Sequence, residues 1–141
     1  MKKSNERGFS IIELLVVCAI IGIIASLSIP FLQKAIRASE NGNMFATMRT
    51  IASTQVNYHS QNKRFARITE INNVMSNSIG TPSGSQVNRG KFILTMTNPA
   101  SPTDGDLRGA YTILATRDVI GEGQVYQYSI DQSGQIVQLQ P

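Results

Sequence analysis

Tryptophan is absent from this 141-residue chain, which has one cysteine, one histidine and only 16% charged residues. The lone cysteine, Cys18, excludes an intramolecular disulfide, so the fold must be held without one. The lone histidine, His59, excludes a multi-histidine metal centre. There is no phosphate-binding glycine loop, nucleophile elbow or CxxC pair, and no enzyme is indicated. Charge is scarce as well. Of the formal +4, three positive residues (Lys2, Lys3, Arg7) and one negative (Glu6) lie in the first seven positions, so about +2 remains on the rest. That is no strong electrostatic case for nucleic acid.

What the chain does have is a long apolar run. From Phe9 to Ile29 it is nearly uninterrupted and preceded by a short basic segment. Roughly 20 helical residues at ~1.5 Å each cross a ~30 Å hydrocarbon core, so the run is long enough to span one. A single acid, Glu13, stands near its start. A carboxylate in such a segment costs ~2.5 kcal/mol or more, so a partner is expected. No Lys, Arg or His lies between Glu13 and Lys34. One source of positive charge would be an α-amino group freed by cleavage just before Phe9, on this chain or a neighbour.

The stretch Gly8, Phe9, Ser10, Ile11, Ile12, Glu13, Leu14, Leu15 resembles the class III leader and N-terminal helix of type IV pilins and pseudopilins. That family's pattern is a short basic leader ending in Gly, then Phe, then an apolar helix with Glu at the fifth mature position. Gly22 and Pro30 also stand where the family's helix usually has them. The resemblance covers about a quarter of the chain; beyond it the likeness is one of architecture. Signal peptidase cleavage after Ser26 or Ser28 competes with this reading, but the run is long for a signal sequence and contains an acid. Lipidation at Cys18 would require a small residue where Val17 stands. A plain membrane anchor leaves Glu13 without a role.

The resemblance implies a domain plan: residues 1–8 a leader, 9–30 a transmembrane and filament-core helix, 31–141 a head that includes the second half of the long helix. It implies a precursor in the inner membrane, leader cytoplasmic and head periplasmic or extracytoplasmic. A prepilin peptidase would cut between Gly8 and Phe9 and methylate the Phe9 amine. Glu13 would attract the amine of an adjacent subunit, and Gly22 to Pro30 is the candidate tract for a kink or unwinding. The implied partners are other pilins in a homo- or hetero-polymer, the peptidase, an inner-membrane assembly platform, and lipid before assembly. No cofactor is implied. The resulting pilus, at the cell surface, would serve adhesion, motility or DNA uptake. The alternative is a minor pseudopilin of a type II secretion system; the major one usually carries a tryptophan-containing calcium loop, missing here. A membrane-anchored binding domain outside any filament is the third reading.

Read residue by residue, the remainder predicts α+β, with a long helix packed on three or four antiparallel strands. Met44, Phe45, Met48, Ile51, Ala52, Val56 and His59 recur at helical spacing and predict a core-facing stripe ending near residues 61–63, with Asn62 as a left-handed cap. His59 reads as structural. A short second helix is expected within 67–77, starting at Thr69, followed by a loop over 77–90. Strands are expected at 91–97, 110–117, 125–131 and 135–138. Alternation assigns Phe92, Leu94 and Met96, then Tyr111, Ile113 and Ala115, then Tyr126, Tyr128 and Ile130 to core faces. Asp104 and Asp106, with Asp118 and Glu122, offer oxygen ligands for calcium without EF-hand spacing, so a solvated turn is the better reading. Lys63, Arg64 and Arg67 around Phe65 form a small basic–aromatic cluster that could touch DNA phosphates, though a solvated face is the commoner use of such a cluster.

Overall fold

The structure is a computed structural model that describes residues 8–97, 99–119 and 124–140. It divides into two compact units, Met1–Glu40 and Asn41–Pro141. Helix α1, Ile11–Asn62, contributes to each. In the first unit its apolar side chains are exposed, Ile11 by 79% and Phe31 by 73%. Among the described residues α1 is the one helix long and apolar enough to cross a membrane. Helical backbone runs through both Gly22 and Pro30. Pro30 cannot donate to the Ser26 carbonyl, but the nearby hydroxyls are internally used: Ser26 Oγ donates to Ile23 O and Ser28 Oγ to Ile24 O, each at 2.8 Å.

In the second unit α1 presents Met44, Thr47, Met48, Ile51 and Gln55 to the core. Val56, expected on that stripe, is 62% exposed. At ~100° per residue, position 55 returns to within roughly 20° of Met44 whereas 56 overshoots by about 120°. The helix ends at Asn62, and the left-handed residue after it is Lys63 (φ 59°), not Asn62. The Lys63 amide donates to His59 O at 2.9 Å, and Asn62 Nδ2 donates back to Tyr58 O at 3.1 Å. Helix α2, Ile68–Val74, starts one residue ahead of the expected Thr69. It does so because the Glu70 carboxylate accepts the Arg67 amide at 2.7 Å.

Among the described residues the sheet has six strands, β1 Thr81–Ser83, β2 Gln86–Arg89, β3 Phe92–Met96, β4 Thr112–Val119, β5 Gln124–Asp131 and β6 Ile136–Gln140. They pair antiparallel in chain order, an unbroken meander. The four strands from β3 onward are those expected from the sequence, within two residues at each end. The first two come from the stretch expected to be loop. Gly84 (φ 58°) turns β1 into β2, Gly90 (φ 58°) turns β2 into β3, and Val87, fully buried opposite Leu94, anchors the hairpin. Phe92, Leu94, Met96, Tyr111, Ile113, Ala115, Tyr128 and Ile130 are all buried, as alternation requires; Tyr126 packs at their margin. Tyr128 stacks between Phe45 at 4.6 Å and Phe92 at 6.1 Å, and Phe65 meets Tyr111 at 4.8 Å. The architecture is α+β, a long N-terminal helix followed by an antiparallel sheet.

Candidate assembly site and the charged clusters

The helix start is built from Ser10 and Glu13. Ser10 precedes the first helical residue, and its amide donates to Glu13 Oε2 at 3.0 Å. The Ile12 amide reaches Ser10 Oγ at 3.4 Å, and the Leu14 amide closes the first turn on Ser10 O at 3.2 Å. A hydroxyl and a carboxylate three residues apart thus serve amides that the helix geometry leaves without intrahelical partners. Among the described residues the capping contact engages Oε2 alone, and Oε1 meets no second donor. Phe9 is 73% exposed beside it. A Cβ on Gly8 or on Gly22 would meet nothing within 4 Å. The packing of this chain therefore demands glycine at neither position. The basic residues of the leader, 1–7, lie outside the described residues.

The two arginines of the basic–aromatic cluster are engaged within the fold. Phe65 is core, with the His59 ring 4.5 Å from it. Arg64 grips Glu70 with both terminal nitrogens, each at 2.8 Å, and lies over the Tyr58 ring at 5.4 Å. Arg67 donates to Asp104 at 2.7 Å and to Pro102 O at 3.1 Å. The hydrogen bond from Arg64 holds the Glu70 carboxyl down at about 2 and makes the guanidinium still harder to deprotonate. Asp104 and Asp106, two of the four candidate oxygen ligands, serve different partners. Asp104 faces the arginines, while Asp106 accepts from Thr103 N at 2.8 Å and Thr103 Oγ1 at 2.6 Å. Those Thr103 bonds lower the Asp106 carboxyl. The Asp118 side chain and Glu122 lie outside the description. Among the described residues no group of three or more His, Cys, Asp or Glu is placed to hold a metal ion. His59 Nε2 stands 3.3 Å from Arg108 O, a structural tie.

Besides Thr47, the buried polar residues among those described are Gln55, Asn72 and Arg117, and no sequence expectation covers them. Gln55, fully buried, donates to Ala66 O and accepts from Ala66 N, both at 2.8 Å. Asn72, also fully buried, donates to Gly80 O at 3.0 Å and accepts from Gly80 N at 3.2 Å. Arg117 is 2% exposed on the core face of β4, its guanidinium 5.7 Å from the Phe92 ring centre and 3.5 Å from Asn41 Oδ1. For Gln55 a signal existed, its return to the Met44 face of the helix.

Residues 3–29 match the family described as the prokaryotic N-terminal methylation motif. The match takes in Gly8, Phe9, Ser10, Glu13 and Gly22. No solved structure matches the chain.

Proposed function

We propose that this chain, whose methylation motif, long apolar N-terminal helix and C-terminal sheet match the type IV pilin and pseudopilin pattern, is a structural subunit of a type IV pilus. Its pattern is that of a non-enzymatic protein. The observation that carries the reading is Glu13, the one carboxylate in an apolar segment of membrane-spanning length, capping its own helix with one oxygen while the other meets no donor among the described residues.

In this reading the precursor sits in the inner membrane with α1 in lipid. A prepilin peptidase cuts between Gly8 and Phe9 and methylates the Phe9 nitrogen, which stays cationic. Glycine at position 8, unneeded by the chain's own packing, leaves room for the peptidase. On docking, Oε1 of Glu13 takes the amine of an adjacent subunit. Pairing in an apolar surround is strong, and a buried carboxylate deprived of its partner costs ~3–5 kcal/mol, so the contact fixes the register of addition. The exposed side chains from Phe9 to Ile29 then bury against those of other subunits, alike or different, delivered by an inner-membrane platform. The contact is heterologous and does not close, the symmetry that generates helical filaments. Backbone between Gly22 and Pro30, already short of one amide donor, is where the helix unwinds on assembly.

Intact mass and N-terminal peptide analysis of chain recovered from the native host, from membranes and from sheared surface filaments, tests this. N-methylated Phe9 at the start of the chain in sheared filaments is expected. The same terminus confined to the cell envelope would assign the chain to a secretion-system pseudopilin. A chain starting after Ser28, or one keeping the leader in assembled material, overturns the reading. Glu13→Ala should leave membrane insertion intact and reduce filament incorporation by about a hundredfold or more, following the cost of an unpaired buried charge.

A further inference from the structure

We infer that the head carries a binding site for a terminal phosphate group, in a recess beyond the C-terminal end of α1. The inference stands on the head alone and does not depend on the filament reading. The recess has a volume of about 390 Å³ and is lined by Asn62, Lys63, Arg64, Asp104 and Arg108. Three of the five are cations and one is an acid, a local charge of +2.

The cations are not equivalent. Arg64 is spent on Glu70, and its Nε lies 3.7 Å from Asp104. Asp104 is in turn held by Arg67 at 2.7 Å. The side chains of Lys63 and Arg108 make no hydrogen bond or ion pair with any described residue. Both are held at the recess by their backbone. Lys63 takes the left-handed conformation immediately after the last residue of α1, where glycine would be easier. Arg108 ends the 3-10 turn Asp106–Arg108, whose final carbonyl is met by His59 from α1. Asp106, two residues before Arg108, is turned into Thr103.

Charge decides the class of ligand. The helix end sets roughly half a negative charge against an anion, which the +2 of the lining outweighs. A phosphate monoester carries about −1.5 to −2 near neutral pH and presents several acceptor oxygens, matching two unspent cations. A lone carboxylate would leave positive charge over. A nucleic acid backbone needs a row of cations, and Arg64 and Arg67 on either side of Phe65 are already neutralised. Arg108 supplies the planar fork and Lys63 the mobile point charge.

The test is calorimetric titration of the full chain in lipid nanodiscs at pH 7.5 with inorganic phosphate and with glucose 6-phosphate, ionic strength held with chloride. Saturable binding is expected, weakened about tenfold by Lys63→Gln or Arg108→Gln and further by the pair, each charge-assisted hydrogen bond being lost separately. Arg49→Gln, a cation beside Phe45 and Ile136 in a different recess, should change nothing. Binding of inorganic phosphate alone identifies the free ion as ligand; binding of both probes identifies the terminal phosphate of a larger molecule. Near-UV circular dichroism shows that each variant keeps its fold, and a variant that loses it is replaced by Lys63→Met or Arg108→Met. The inference is overturned if phosphate binds no better than acetate, if the double variant binds like the parent, or if a DNA duplex without terminal phosphates binds more tightly through the same two residues.

Discussion

Replacing Gln55 with methionine removes two hydrogen bonds from the core while keeping nearly all of its volume. The side-chain amide of Gln55 closes a two-way clamp on Ala66, and both residues are fully buried. Without it the Ala66 N–H and C=O are left in the interior with no acceptor and no donor. Each stranded group costs ~1–3 kcal/mol, so Gln55→Met should lower the stability of the head by ~2–5 kcal/mol. Set against the ~5–15 kcal/mol typical of a domain, that is a large share. Urea unfolding of the full chain in micelles, followed by near-UV dichroism of the four tyrosines, reads it directly. With a slope of ~1–3 kcal/mol per molar urea, the midpoint should fall by about 1–3 M. Gln55→Glu adds a sign. Its carboxylate can still accept from Ala66 N–H but sets a second oxygen against the Ala66 carbonyl. Burial and that repulsion raise the carboxyl above its unfolded value of ~4.3. The protonated form donates to the carbonyl, so its stabilisation is complete below ~4.3 and is lost as pH rises through the raised folded value. Gln55→Glu should therefore be weakest at neutral pH and recover in acid. A methionine variant within ~0.5 kcal/mol of the parent, with a glutamate variant flat in pH, would refute the clamp.

The Arg64–Glu70 pair works in the opposite direction. With Glu70 held at about 2 against an ordinary 4.5, its stabilisation is present above 4.5 and lost as pH falls toward 2. Glu70 is 30% exposed and Arg64 18%, so after solvent screening the pair contributes ~1–2 kcal/mol. Glu70→Gln should flatten that part of the acid limb in a pH titration of stability, leaving the smaller contributions of Asp106 and Asp131, which Thr103 and Ser133 also hold low. Gly80→Ala would drive its Cβ into the Asn88 carbonyl and should cost ~1–3 kcal/mol, lowering the thermal midpoint by at least ~4 °C. Gly105→Ala, whose Cβ would come no nearer than 3.6 Å to Thr103 Oγ1, should leave that midpoint within a degree or two and serves as the control.

The features legible in the sequence are those written in consecutive residues. The apolar segment, its single acid and the Gly8–Phe9 junction are linear signals, and the methylation motif matches over the same stretch. Strands β3 to β5 were legible because alternation marks a half-buried strand whatever it pairs with. The β1–β2 hairpin was not, because Pro82, Gly84 and one apolar anchor, Val87, make no alternating pattern; its pairing with β3 brings it into the sheet. The sequence points to Asn62 for the left-handed position because lysine rarely adopts positive φ, while the turn out of α1 puts Lys63 there. The charge network was invisible for a different reason. Arg67 finds Asp104 37 residues away, so a cluster that looks basic in a seven-residue window is balanced by acids from elsewhere.

Because every strand pairs with the one before it, the sheet can be laid down in the order in which residues emerge from the ribosome. Two residues separate β1 from β2, two separate β2 from β3, and four separate β5 from β6, so these closures cost little entropy and need no distant segment to arrive first. The longest passage between strands, from β3 to β4 across residues 97–111, has the largest loop-closure cost, and it carries the 3-10 turn that meets His59. Among the described residues no strand is threaded between two that precede it. Shortening the chain from its C-terminal side would therefore peel pairs away singly, beginning with β6, and leave the earlier hairpins with their partners.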